Sequence, residues 1–261
     1  MIRSPTVQAL DILALVAAGA GAGAMNALAG GGTILTFPTL LLLGHPAVEA
    51  NATSTVALLP GAAASMAGYR REVATHRAWL KTLLVPSLIG GSAGSLLLLA
   101  TPDEIFARLA PWLLLFATSL FLFQTLRSRG RAGSSGPPPL PASPWGAWLG
   151  QLGVALYGGY FGAGIGILML VILGALGLSD IHAMNGLKNF FGICINGVAA
   201  AIFLLGGAVD YTAAAWTLVG AVVGGYFGAR FGRYIGQVRA RVAVILIGLF
   251  LAGVLFYQQT G

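Results

Sequence analysis

The chain has 261 residues, 57% of them hydrophobic and 8% charged, with a mean hydropathy of +0.87. A soluble domain carries about 25% charged residues, so this composition excludes a water-soluble enzyme, a nucleic-acid-binding domain and a disordered chain. The net charge of +7 sits in short loops between apolar runs, as the positive-inside rule produces, which leaves an all-α polytopic membrane protein. A β-barrel does not fit, because its strands alternate apolar and polar residues over about 10 positions, whereas these runs are solidly apolar. The single cysteine, Cys194, excludes an internal disulfide.

A helix rises about 1.5 Å per residue, so about 20 residues cross the hydrocarbon core. In chain order, apolar runs predict helices at 10–29, 33–43, 47–68, 78–100, 104–126, 145–162, 165–176, 181–205, 211–231 and 239–257. The first run resembles a signal peptide in its leading Arg3, but it continues to Leu28 and its glycine-rich sequel recurs later in the chain. The runs at 33–43 and 165–176 are too short to cross as straight helices, and each follows a glycine cluster, Gly30-Gly31-Gly32 or Gly162-Ala163-Gly164-Ile165-Gly166. Short, glycine-interrupted segments at matching places of two halves are a pointer to a transporter site. The segment 127–144, RSRGRAGSSGPPPLPASP, reads as a water-exposed linker.

The two sides of that linker repeat. At an offset of 134, Gly30-x-Gly32 meets Gly164-x-Gly166, Asn51 meets Asn185, and Gly90-Gly91-x-x-Gly94 meets Gly224-Gly225-x-x-Gly228. Arg70, Arg71, Arg77 and Lys81 follow the third run of the first half, where the second half has Asp210. Asp103 and Glu104 precede the fifth run, where the second half has Arg230, Arg233, Arg239 and Arg241. Basic loops stay cytoplasmic, so equivalent loops lie on opposite sides. The expected architecture is about ten transmembrane or half-spanning helices in two inverted five-helix repeats, 1–126 and 145–261, with broken or re-entrant first hairpins and a cytoplasmic linker.

Polar residues inside the runs are few. Helical spacing puts Asn185, Asn189, Gly192 and Asn196 on one face with Lys188 beside them, and Asn51, Ser54 and Thr55 on the equivalent face of the first half. A lysine at membrane depth costs about 2.5–3.5 kcal/mol on insertion scales and faces a cavity or a partner. Helix starts after glycine breaks present N–H groups of positive partial charge. Lys188, Asn185, Asn189, Asn51, Ser54, Thr55, Gly31, Gly32, Thr33, Gly164 and Gly166 are therefore the expected ligands of a small anion. Each has a structural alternative: close packing for the glycines, interhelical hydrogen bonding for Asn51 and Asn185, and snorkelling or a pair with Asp180 for Lys188. Asn26 and Asn196 read as packing contacts. His45, His76 and His182 are scattered near run ends and suggest no metal site, and no cofactor motif or catalytic acid–base pair appears at depth.

Ala29-Gly30-Gly31-Gly32-Thr33 through Phe37-Pro38, Asn51-Ala52-Thr53-Ser54, Met184-Asn185-Gly186-Leu187-Lys188-Asn189 with Asn196, and the Gly90-Gly91 and Gly224-Gly225 pairs together resemble the TauE/SafE sulfite exporter family of membrane permeases. The resemblance implies transport of small sulfur-containing or organic anions, such as sulfite, sulfoacetate or other sulfonates, across the bacterial inner membrane; the repeats add the expectation of alternating access and of an exporter, with coupling to a proton or other ion left open. An anion channel with the same polar lining is the alternative. The second half departs from the first: Ile165 interrupts its glycines, Ile172 stands where the first half has Pro38, and Lys188 aligns with Ser54.

Overall fold

The computed structural model describes residues 9–28, 31–67, 70–127, 144–178, 180–235 and 237–260. Ala29, Gly30 and nearly all of the expected linker at 127–144 lie outside the described residues. Among the described residues the regular structure is entirely helical. Ten helices match the predicted runs: α1 (Ala9–Leu28), α2 (Thr33–Leu42), α3 (Ala47–Ala67), α5 (Arg77–Ala100), α6 (Asp103–Arg127), α7 (Pro144–Tyr160), α8 (Ile165–Ala175), α9 (Ile181–Leu205), α10 (Tyr211–Ile235) and α11 (Gln237–Thr260). A short helix, α4 (Arg70–Thr75), forms within the basic loop, where no apolar run marks it.

α2 and α8 are short because glycine delimits them at both ends. Gly164 precedes α8 in the left-handed region (φ +76°), which L side chains avoid. Gly44 and Gly177, also left-handed at φ +89° and +98°, follow α2 and α8. Beyond them the N–H groups of His45 and Leu178 reach back to Leu40 O and Leu173 O at 3.1 and 3.0 Å. These are Schellman closures, which satisfy the last carbonyls and turn the chain sharply.

The most extensive helix contacts are α1 along α10 and α5 along α7. Both rest on glycine. A Cβ on Gly224 or Gly228 of α10 would collide with the backbone of Ala20 or Ala24 of α1, and one on Gly94 of α5 would collide with Leu156 O of α7. Such close backbone approach is how membrane helices gain dispersion contacts when lipid removes the hydrophobic drive to associate. α3 packs on α9 and α6 on α11, while α5 and α10 also lie against α9 and α3. At one end of the bundle, Phe37, Phe106 and Phe161 meet edge-to-face with ring centroids 5.2–6.2 Å apart, fully buried between α2, α6 and the end of α7.

The outer surface is apolar: Trp112, Leu246 and Phe250 are 62%, 62% and 70% exposed. Segments in α1, α5 and α9 are long and apolar enough to cross a membrane. Inside, Ser87, Ser95 and Thr118 are buried and donate to the carbonyls of Leu83, Gly91 and Leu114 at 2.6, 2.9 and 2.8 Å, so their hydroxyls need no water. An apolar exterior around a helical bundle whose backbone groups are paired within the helices is the form of a membrane protein.

Candidate functional site

The starts of α2 and α8 open on one cavity of about 130 Å³, which α3, α9 and the end of α1 also line. Gly31, Gly32 and Thr33 line it from the first half of the chain, and Gly162, Gly164, Ile165 and Gly166 from the second. From α9 come Lys188, Asn189, Gly192 and Asn196, which recur on one face by helical spacing. From α3 come Thr55, Leu58, Leu59 and Ala62, and from the end of α1, Asn26.

Local geometry holds positive ends toward this space. At α8 the N–H groups of Ile165 and Ile167 are taken by Gly162 O and Gly164 O at 3.3 and 2.9 Å, while that of Gly166 has no partner among the described residues. At α2 the Gly32 N–H donates to Asn26 Oδ1 at 2.8 Å and the Ile34 N–H to Gly31 O at 3.0 Å; the Thr33 N–H has no partner among the described residues. Two helix N-termini, each with an N–H group to offer, thus border one cavity, which is the standard backbone arrangement for an anion.

Lys188 adds a full charge. Its stem lies across the first turn of α8: a Cβ built on Gly166 would stand 3.2 Å from Lys188 Cδ and 3.8 Å from Cε. Glycine at this position therefore leaves room for the lysine stem to run alongside the helix start. A cation beside a helix N-terminus is electrostatically unfavourable, and no Asp or Glu is among the lining residues. The polar groups share the cavity with an apolar wall of Leu58, Leu59, Ala62, Ile165, Ile167 and Leu170.

Of the residues expected to bind, Lys188, Asn189, Thr55, Gly31, Gly32, Thr33, Gly164 and Gly166 are brought together around this cavity. Asn51, Ser54 and Asn185 are not among its lining residues. Asn51 is buried, and its Nδ2 donates to Tyr160 O at 3.1 Å, tying α3 to the end of α7 just before the glycine break. Ser54 is buried and paired with the Thr36 hydroxyl of α2. Asn185 lies a turn before Asn189 on α9 and is half-buried. Asn51 and Ser54 thus each make a hydrogen bond between helices, the alternative that the sequence offered for Asn51.

The structure adds Asn26 and Asn196 to the site, both read from sequence as packing contacts. The i, i+4, i+11 spacing of Asn185, Asn189 and Asn196 already put Asn196 on the right face. For Asn26 the only sequence signal was a polar side chain within two turns of a glycine break. Asp180 does not meet the expectation of a Lys188 partner: it caps α9, its Oδ1 accepting from the His182 N–H at 2.9 Å.

Residues 15–255 match the family described as sulfite exporter TauE/SafE. The chain is 27% identical over 257 residues to a "Probable membrane transporter protein" of Haemophilus influenzae, covering 96% of each chain. It is 24% identical over 248 residues to "Probable membrane transporter protein YfcA" of Escherichia coli K12, covering 92% of this chain and 87% of the relative. It is 25% identical over 237 residues to "Probable membrane transporter protein ORF9" of a Sinorhizobium species, covering 88% and 87%. No solved structure matches the chain.

Proposed function

Because the chain belongs to the TauE/SafE family of membrane transporters, we propose that it carries a small anion, such as sulfite, sulfoacetate or another sulfonate, across the bacterial inner membrane. The observation that carries this reading is the convergence of two helix N-termini and Lys188 on one cavity whose lining has no carboxylate. Two helix N-termini and a lysine side chain around one cavity suit an oxyanion. Lys188 balances the charge; Asn189, Asn26 and Asn196 offer side-chain amides for hydrogen bonds, while the Thr55 hydroxyl donates to Asn51 O at 2.9 Å; the Thr33 and Gly166 N–H groups meet the oxygens directly. Asn51 and Ser54 position the two helix starts. The apolar wall is suited to a short organic tail on the anion.

The transport cycle follows from two inverted five-helix repeats, 1–126 and 145–261, joined by a cytoplasmic linker. The packing pattern supports that division. If α1, α2, α3, α5 and α6 correspond to α7, α8, α9, α10 and α11, the α1–α10 contact exchanges with α5–α7 and the α5–α9 contact with α3–α10, while α3–α9 and α6–α11 map onto themselves. On this reading the cavity lies between the halves, and rocking of one against the other gives alternating access.

Uptake of a radiolabelled sulfonate into proteoliposomes tests the reading. A hydrogen bond to a charged group contributes about 1.5–3 kcal/mol, so Lys188→Ala is expected to weaken apparent substrate affinity by about ten- to a hundredfold. Unchanged uptake in Lys188→Ala and Asn189→Ala sinks the site.

A further inference from the structure

At the end of α5 away from Arg77, three titratable side chains from distant parts of the sequence meet. His45 lies in the turn after α2, Glu49 in the first turn of α3, and Asp210 in the turn before α10. His45 Nδ1 stands 2.9 Å from Glu49 Oε1 and 3.7 Å from Asp210 Oδ2. The His45 side chain is 11% exposed, while the two carboxylates are 36% and 24% exposed and so reach solvent.

The supporting geometry is firm. Asp210 Oδ1 caps α10 by accepting from the Ala213 N–H at 2.9 Å, and the Asp210 N–H donates to Thr53 Oγ1 at 3.0 Å. Asp103, at the start of α6, accepts from the Val48 N–H at 2.9 Å. The packed elements also carry Glu104 and Arg108 of α6 and Tyr211 beside Asp210, all exposed, and, further along their helices, Arg127 of α6, His182 and Lys188 of α9, and Arg230 and Arg233 of α10. The basic side chains Arg77 and Lys81 stand at the far end of α5.

The cluster joins the two walls of the cavity. α2 and α3 carry Thr33, Thr55 and Leu58 on one side; α9, which leads into the Asp210 turn, carries Lys188, Asn189 and Asn196 on the other. With a neutral imidazole, two carboxylates face each other across His45 and their repulsion opposes closure. With an imidazolium, the same groups attract, and Nδ1–H donates to Glu49 while the ring charge holds Asp210. We propose that His45, Glu49 and Asp210 form a proton-operated clasp that tightens the α2–α3 turn against the α9–α10 turn when His45 is protonated and loosens it when the proton leaves, with the Asp210–Thr53 hydrogen bond as the fixed pivot, so that pH governs access to the cavity. This rests on the transport reading for its consequence, though not for its geometry.

The test uses the full-length protein in proteoliposomes with Cys194→Ala as background. Spin labels at Leu42→Cys and Leu205→Cys, both exposed ends of α2 and α9, report the distance between the turns at about pH 5.5 and about pH 8, the limits of histidine titration. The expected result is a single short distance at the lower pH and a longer population at the higher one. His45→Gln, which keeps a donor without a titratable ring, and Asp210→Asn, which keeps the helix cap without the charge, are each expected to remove that difference. Uptake of methanesulfonate, an anion that does not itself titrate in this range, is expected to change about fivefold between the two pH values in the background protein, the scale of a partly exposed ion pair. In His45→Gln it is expected to be flat.

Equal distances at both pH values, or a pH response that survives His45→Gln, overturn the clasp. So does a distance that shortens as pH rises, the sign expected of a metal held by deprotonated ligands. If no variant transports any anion while the distance still follows pH through His45, the clasp stands and the transport reading falls.

Discussion

Single residues in this protein divide into those that shape the cavity and those that hold the shapers. Gly164 belongs to the first group. Its φ of +76° and the Ala117 backbone 3.3 Å from a notional Cβ leave no comfortable side chain, so Gly164→Ala is expected to lower stability by about 1–2 kcal/mol. A reduced Tm in detergent measures this. Gly153 in α7 is the useful contrast: a Cβ there has nothing within 4 Å, and Gly153→Ala is expected to stabilise by about 0.5–1 kcal/mol through helix propensity alone. The same residue type therefore gives opposite signs, decided by backbone angle and neighbours. Asn51 shows that division among polar residues. Its repeat-related place in the sequence pointed to the ligand; in the structure its Nδ2 donates to Tyr160 O, and Asn51→Ala is expected to loosen the α3–α7 junction. A fall in transport rate at unchanged apparent affinity distinguishes the two roles.

At the scale of elements, the sequence was most legible where glycine and charge punctuate it. The short lengths of α2 and α8 followed from glycine at their ends, because only a residue without a Cβ adopts the left-handed angle that closes them. The spaced glycines of α5 and α10 were legible as a set, although their partners were not: sequence spacing defines a stripe on a helix, and it does not say which helix lies against it. Packing supplies the answer, α7 for one and α1 for the other. Gly94→Ala and Gly224→Ala push a methyl group into a facing backbone that cannot rotate away. Each is expected to cost about 1–3 kcal/mol, read as a lower detergent Tm and poorer recovery of folded protein. α4 escaped notice because it is polar, and a short polar helix has no periodic apolar signature.

For the whole molecule, the distribution of Lys and Arg makes a prediction that packing alone does not. Arg70 and Asp210 fall at equivalent places of the two halves, so the positive-inside rule puts their loops on opposite faces of the membrane. Cysteines introduced beside Arg70 and Asp210 in a Cys194→Ala background are expected to label from opposite sides with a membrane-impermeant reagent. Labelling from one side contradicts the inverted arrangement. The exchange of α1–α10 with α5–α7 fits a two-fold relation between the halves, which requires contacts to occur in such pairs, and the labelling decides whether that relation inverts them.

Composition and hydropathy were enough to establish a helical membrane protein, because so few charges cannot clothe a soluble surface and apolar runs of membrane length have few other uses. Glycine position and helical period were enough to nominate two helix starts and the Lys188 face, because both are local properties of the backbone. What the tertiary structure decided was partnership. Asn26 and Asn196 border the cavity, while the Asn51 Nδ2 and the Ser54 hydroxyl bond to Tyr160 O and Thr36. His45 finds Asp210 across two-thirds of the chain. A periodicity states which way a side chain faces along its own helix; only the packing of helices remote in sequence states what it meets there.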